Sequence, residues 1–430
     1  MTNPKANQDA ATPENDAPFW QFIHPEDYVV PELHIQKATA NAWRVFKKNL
    51  RDEPAHETLF KPENELQALS EVRLSHFVPQ IPWHEAAAAL DAQIKDWFKN
   101  DNPHHKHDSV KFLVGQPFSG HANIVQILGQ RHNAQIIAPL TPEQILNQDL
   151  TWFDQFTPDQ LWVLPELERC FLRHTHGLSL VRRVLSLATQ GHLGQGIIGC
   201  DSWAWAFFQR IHAWPATDVL TLQAFDAERL TSLISDYAHH SKMHIHYLSA
   251  INGNEILTNE IDSEQTDTEF NELVAHCRGN LALALHYWQE RLYDDLDEAK
   301  SEGQLIPDDE ADDPNDTKQN AVNNNEEPTT QLSAGTRLWL AKMPAEPSMP
   351  TGNPEAFFLV LHALLIHNGL DEIGLENVLP YSQTRCQGLL AQLEQAQLVE
   401  YQTTRWLVKK TAYPTIRRLL INQNYLSDAF

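Results

Sequence analysis

From Trp83 to Leu222 the chain alternates short apolar runs with amphipathic segments, and this alternation limits the fold more than any other feature. The runs are SVKFLV, NAQIIAP, QLWVL, QGIIGC and DVLTL, with helical patterns such as WHEAAAALDAQIKDWF, GLSLVRRVLSLATQ and SWAWAFFQRIH between them. Strands that are apolar along their whole length need cover on both faces, and intervening helices supply it. The pattern therefore predicts an α/β core over 83–222 built on a parallel five-stranded sheet.

Around this core the chain divides by composition. Residues 1–18 are polar and read as a disordered tail; 19–82, with Trp20, Phe22, Tyr28 and Phe77 among charges, reads as an irregular or helical arm that docks on something. From Asp226 to Leu292 apolar residues recur at three- and four-residue spacing, which predicts an all-helical lid over 223–293. Residues 294–327 hold 13 acidic and 2 basic side chains, nearly half of the net charge of −25. So charged a stretch buries too little apolar surface to offset its ordering entropy, and 294–335 reads as a disordered acidic linker. Within the final domain, 336–430, a helix–helix–helix–hairpin pattern with a turn near Thr403 predicts a winged helix, followed by a helix over PTIRRLLINQNYL. On this reading the linker acts as a tether that lets the winged helix search for a partner.

The overall charge opposes broad binding to phosphate backbones. Neither a membrane span nor a secretory signal is readable, so a cytoplasmic protein is expected. Cys170, Cys200, Cys277 and Cys386 are widely spaced without a CxxC pair, which predicts buried free thiols.

The stretch that carries chemistry is VGQPFSGHANIVQILGQ, which sets Gly115, Gln116, Pro117, Phe118, Ser119, Gly120, His121 and Ala122 between a strand and a helix. The glycine spacing is that of a P-loop, whose backbone N–H groups and helix N-terminus cradle phosphates. His121 stands where the P-loop lysine belongs and Ala122 where the Mg²⁺-binding hydroxyl belongs. About 40 residues on, LWVLPELERC has the form of a Walker B strand, with Pro165 at the metal-binding aspartate position and Glu166 behind it; QGIIGCDSW follows in the place of a sensor-1 strand ending at Asp201 and Ser202. CRGNLALALHYW adds a glycine-then-helix element through Gly279, Asn280, Leu283, Ala284 and Leu285.

With these parts in this order, residues 83–430 resemble the AAA+ and STAND NTPases, degenerate in the active site and carrying a C-terminal winged helix. The resemblance implies ATP or ADP as ligand, held weakly or not at all. Mg²⁺ is not expected, because neither Ala122 nor Pro165 offers a side-chain oxygen. Losing the lysine removes about 4 kcal/mol of charge attraction at an effective dielectric near 20. His121 would compensate in part if phosphates made it cationic. Glu166 keeps the position that polarises attacking water in the family. Arg169, Arg173, Arg182 and Arg183 stand where relatives carry fingers that reach a neighbour's phosphates, which would imply an oligomer.

No metal site is expected, although His240, His244 and His246 lie near one another in sequence, as do His104, His105 and His107. The aromatic patch of Trp203, Trp205, Phe207, Phe208 and Trp214 reads as packing between sheet and lid. Residues 354–430 hold 6 basic and 7 acidic side chains, with Arg385 on the third helix and Lys409, Lys410, Arg417 and Arg418 near the wing. DNA readers concentrate cations on that face, so contact with a protein partner is favoured over DNA. The expectation is a regulatory or scaffolding protein. An ATP-dependent switch and a DNA-associated adaptor are the alternatives.

Overall fold

The computed structural model describes residues 18–31, 61, 65–98, 109–211, 218–241, 244–257, 263–295 and 336–430. The tail to residue 17, most of the arm between 32 and 64, His104, His105, His107, Trp214 and the linker from 296 to 335 lie outside the described residues.

The main sheet contains β1 (Phe22–Ile23), β3 (Val110–Gly115), β4 (Gln135–Ile136), β5 (Trp162–Leu164), β6 (Gly196–Asp201) and β7 (Val219–Leu222), in the spatial order β1-β7-β3-β6-β5-β4. The last five are parallel, as expected, while β1 adds an antiparallel edge through Phe22↔Leu222 and Ile23↔Thr221. The arm therefore contributes a strand to the core. Counting only the parallel strands in chain order, the sheet reads 5-1-4-3-2, which puts β3 and the loop after it near the middle. This mainly parallel, six-stranded α/β architecture resembles a P-loop NTPase core. β3, β5 and β6 are buried at every residue, which accounts for their unbroken apolar runs. Helices α1 (Trp83–Gln93) and α2 (His121–Arg131) pack on each other, and α2 lies over β5 and β6. Next come α3 (Ser179–Thr189), α4 (Ser202–Ile211), α5 (Ala227–His240), α6 (Ser263–His276) and α7 (Leu281–Glu290).

The lid is not all-helical. A second sheet, ordered β2-β9-β10-β8, joins β2 (Leu66–Ala68), β8 (His246–Ser249), β9 (Leu292–Asp295) and β10 (Arg337–Leu340). Two of the predicted boundaries move with it. Asp294 and Asp295 belong to β9 rather than to a linker, each in an ion pair 2.6 Å long, with Arg73 and Lys61 respectively. β10 pairs in parallel with β8, so 337–340 belongs with the lid and not with the C-terminal block.

That block holds α8 (Pro354–Ile366), α9 (Glu372–Val378), α10 (Gln383–Gln395), the hairpin β11 (Val399–Gln402) and β12 (Arg405–Val408), and α11 (Tyr413–Asn422). Thr403 and Thr404 make the turn at positive φ. The block is docked, not tethered at a distance. Ten of the thirteen residues of α8 are buried, among them Phe357, Leu361, His362 and Ile366, because α8 is covered by α4 as well as by α10, α11 and β12. A helix apolar on every side needs such cover. Phe171 stacks on Phe207 at 5.5 Å and meets His367 at 4.5 Å, and Trp203 donates its indole N–H to the Tyr413 hydroxyl at 3.2 Å. The described part of the aromatic patch therefore packs against the sheet, where Phe112 meets Trp205, and against the C-terminal block, where Trp203 meets His362.

Phe171 is 1% exposed in this seam. Phe171→Ala should cost about 3–5 kcal/mol in denaturant unfolding, the usual range for a buried phenylalanine. A loss below about 1 kcal/mol, within the range of a surface substitution, would mean that the block does not rest on this side chain.

Candidate functional site

β3 ends at Gly115, the chain turns through Gln116–Gly120, and α2 begins at His121 with Gly120 as its N-cap at φ +79°. Both glycines are required by contact. A Cβ on Gly115 would lie 2.2 Å from Ser119 Oγ, and one on Gly120 would lie 2.4 Å from the Trp83 ring. Phe118 is also left-handed, at φ +67°, a conformation that costs a non-glycine residue about 1–3 kcal/mol. Its neighbours hold it there: Asn280 Nδ2 donates to the Pro117 carbonyl at 2.8 Å, and the Phe118 ring meets Tyr413 edge-on at 5.8 Å. The lid and the C-terminal block thus both clamp the loop.

His121 points inward. Its Nε2 lies 3.3 Å from Oε1 of Glu168, which is fully buried, and the other Glu168 oxygen accepts the Asp201 N–H at 3.0 Å. Asn368, from the C-terminal block, donates to Glu168 Oε1 at 3.3 Å. Burial works to raise the Glu168 carboxyl, but the charge and hydrogen bond of His121, with backbone N–H groups, hold it below the ordinary carboxylate value. Burial, then the Glu168 charge, pushes Asp201 well above its ordinary value, and its Oδ1 accepts from the Trp203 N–H at 2.9 Å. Ser202 donates to Asp428 at 2.5 Å. Glu166 lies apart, partly exposed and paired with Arg169 at 2.9 Å. The carboxylate that faces the loop is Glu168.

Two polar atoms at the loop, Ser119 Oγ and His121 Nδ1, are buried without a hydrogen-bond partner, and no side chain caps the N-terminus of α2. Such atoms are satisfied by a water or an anion oxygen. The hollow beside them, walled by Tyr28, Gln116, Ser119, Gln223 and Asn280, amounts to about 20 Å³, room for about one water. Gln116 closes one side by donating to the Tyr28 hydroxyl at 2.7 Å. The His121 imidazole is in contact with an internal carboxylate, and Ala122 has no side-chain oxygen.

The other sequence candidates are dispersed. Arg417 is buried and paired with Asp428 at 2.9 Å, Arg418 pairs with Glu346, and Lys409 donates to Gln397, while Arg385 and Lys410 are exposed. Arg173 is turned into the seam: its N–H donates to His367 Nε2 at 3.3 Å and its guanidinium lies 3.4 Å from His362 Nδ1. His240 Nδ1 bonds the Asp236 carbonyl and His246 pairs with Glu255; among the described residues no group of His, Cys, Asp or Glu is placed to hold a metal. All four cysteines are buried and free, and no described helix is long and apolar enough to cross a membrane. Sequence reasoning missed Glu168, Arg278 and Asp428; the EL spacing of ELER could have flagged the first, since Glu166 and Glu168 both follow the strand.

Three solved structures are similar to parts of the chain. Domain III of the Thermotoga maritima replication initiation protein DnaA matches at 12% identity and TM-score 0.28, over 54% of this chain and 91% of that one. A Walker-type ATPase of Pyrococcus abyssi matches at 8% identity and TM-score 0.30, over 76% and 94%. A chain of the E. coli HORMA:CdnC:Trip13 complex matches at 13% identity and TM-score 0.25, over 50% and 82%. These values mark likenesses of fold and carry no argument about activity. No protein-family model and no curated protein matches the chain.

Burial, with Arg173 alongside, pushes His362 down to about 4, and burial, then Arg173 and Arg405, holds His367 well below its ordinary value. Both folded values lie below the unfolded one, so the unfolded chain binds the proton first. Their stabilisation is complete above about pH 6.5 and is lost as pH falls toward the folded values. His362 alone should cost roughly 2 kcal/mol between about pH 7 and pH 5, at 1.36 kcal/mol per unit. Urea midpoints should fall over that range, less steeply in His362→Asn; equal slopes would contradict the assignment.

Proposed function

We propose that this protein is a regulatory or scaffolding protein on a P-loop NTPase-like core, in which the nucleotide site is degenerate and the former phosphate loop is a structural clasp. The observation that carries the reading is the buried contact between His121 and Glu168, which turns the side chain standing at the lysine position toward an internal carboxylate and not toward a triphosphate. The absence of a side-chain oxygen at Ala122 and Pro165 supports it, since Mg²⁺ would lack its usual protein ligands and hydrolysis would suffer more than binding. If ATP or ADP is held at all, the loop must first open. Protein partners suit the C-terminal block, read as a winged helix, better than DNA does, because Arg417 and Arg418 are already paired within the chain. Oligomers through an arginine finger find little support at Arg173, which faces the histidines of the seam.

The test is phosphate release and calorimetric ATP binding with Mg²⁺ by the full chain. Release should not exceed that of Glu166→Gln and Glu168→Gln, and binding should be weak or absent at both pH 6 and pH 8. Brisk magnesium-dependent release that Glu166→Gln abolishes would replace this reading with the ATP-driven switch. Salt-dependent retardation of duplex DNA, lost in a variant neutralised at Arg385, Lys409 and Lys410, would favour the adaptor.

A further inference from the structure

Residues Tyr425–Phe430 form no helix or strand, yet they touch the arm, the lid, the start of α4, α8 and α11. The Asp428 carboxylate is buried, accepting from Arg417 Nε at 3.1 Å and Nη2 at 2.9 Å through one oxygen and from Ser202, at the end of β6, through the other. The Phe430 carbonyl accepts from Arg278 of the lid, at 3.2 Å from Nε and 2.7 Å from Nη2, and from Arg417. The Phe430 ring meets Tyr28 of the arm edge-on at 4.9 Å, and Tyr28 in turn accepts the Gln116 bond from the loop. The Leu426 carbonyl lies 2.9 Å from His362 Nε2 on α8.

A short segment without ladder hydrogen bonds holds its place only through such contacts. We propose that Tyr425–Phe430 is a latch: by joining arm, loop, sheet end, lid and α11 it keeps the C-terminal block closed over the glycine loop, and its release opens the loop and the block together. The latch works through Asp428. Withdrawing its carboxylate strands the buried Arg417 guanidinium and frees Ser202, and an unpaired buried charge is far costlier than a lost surface contact. Arg278 and Arg417 then lose the partners that the segment gives them. The inference goes beyond the functional reading above and does not need the loop to bind nucleotide.

Hydrogen exchange by mass spectrometry on the full chain tests it, comparing the unaltered protein with Asp428→Asn. Amides of 113–124, 354–366 and 413–424 should exchange faster together, by on the order of 100-fold, the equivalent of stranding one buried charge partner. Amides of β5 and β6 should keep their rates. Acceleration confined to 425–430 would make the segment a passive tail, and equal acceleration through β5 and β6 would make Asp428 an ordinary folding contact; either overturns the latch. Phe430→Ala, which leaves the Asp428–Arg417 pair in place, should open the same three regions by a smaller factor and serves if Asp428→Asn does not fold. Phosphate release by the unaltered protein would sink the functional reading and leave this result unaffected.

Discussion

Helix α8 has no polar side, and the rest of the molecule is arranged around the need to cover it. Its apolar surface is shared between α4 of the α/β core and the helices and hairpin of its own block. Burial of large side chains from both partners, Phe171, Phe208, Trp203 and Tyr413 among them, makes one continuous core out of regions that composition divides. Each buried aliphatic or phenylalanine side chain contributes roughly 1.5–3 kcal/mol, so a seam with several of them is not a loose tether.

Once the block is seated, polar groups trapped beneath it must find partners inside. That requirement explains the pairs that ring the loop: His121 with Glu168, Asp428 with Arg417, Arg173 with two neutral histidines. It also explains why the loop keeps its shape. Gly115 and Gly120 are needed because Ser119 and Trp83 crowd them, a steric reason that stands whether or not phosphate ever binds.

Much of the core was legible. The five apolar runs became five parallel strands, and the glycine spacing marked the strand-to-helix loop at its centre. Other parts were hidden for physical reasons. β8 is four residues long and its parallel partner β10 lies some ninety residues on, so no local periodicity announces it. Asp294 and Asp295 disappear in a composition average, although Arg73 and Lys61 make them strand residues. Glu166 and Glu168 are indistinguishable by spacing until the 3-10 turn after β5 sends one toward Arg169 and the other under His121. The docking of the block had a readable sign in AFFLVLHALLI, since so uniformly apolar a helix demands cover on more than one side.

By itself, then, the amino-acid sequence determined the α/β alternation and the place of the glycine loop, because strand burial and backbone turns are governed by neighbours close along the chain. Only the tertiary structure decided that the loop is closed, that Glu168 rather than Glu166 answers His121, and that Asp428 and Phe430 reach back to the lid and the sheet end. Those contacts join residues more than forty, and in places more than two hundred, positions apart. Which of many equivalent carboxylates meets which cation is settled by how large apolar surfaces pack, and no local pattern encodes it.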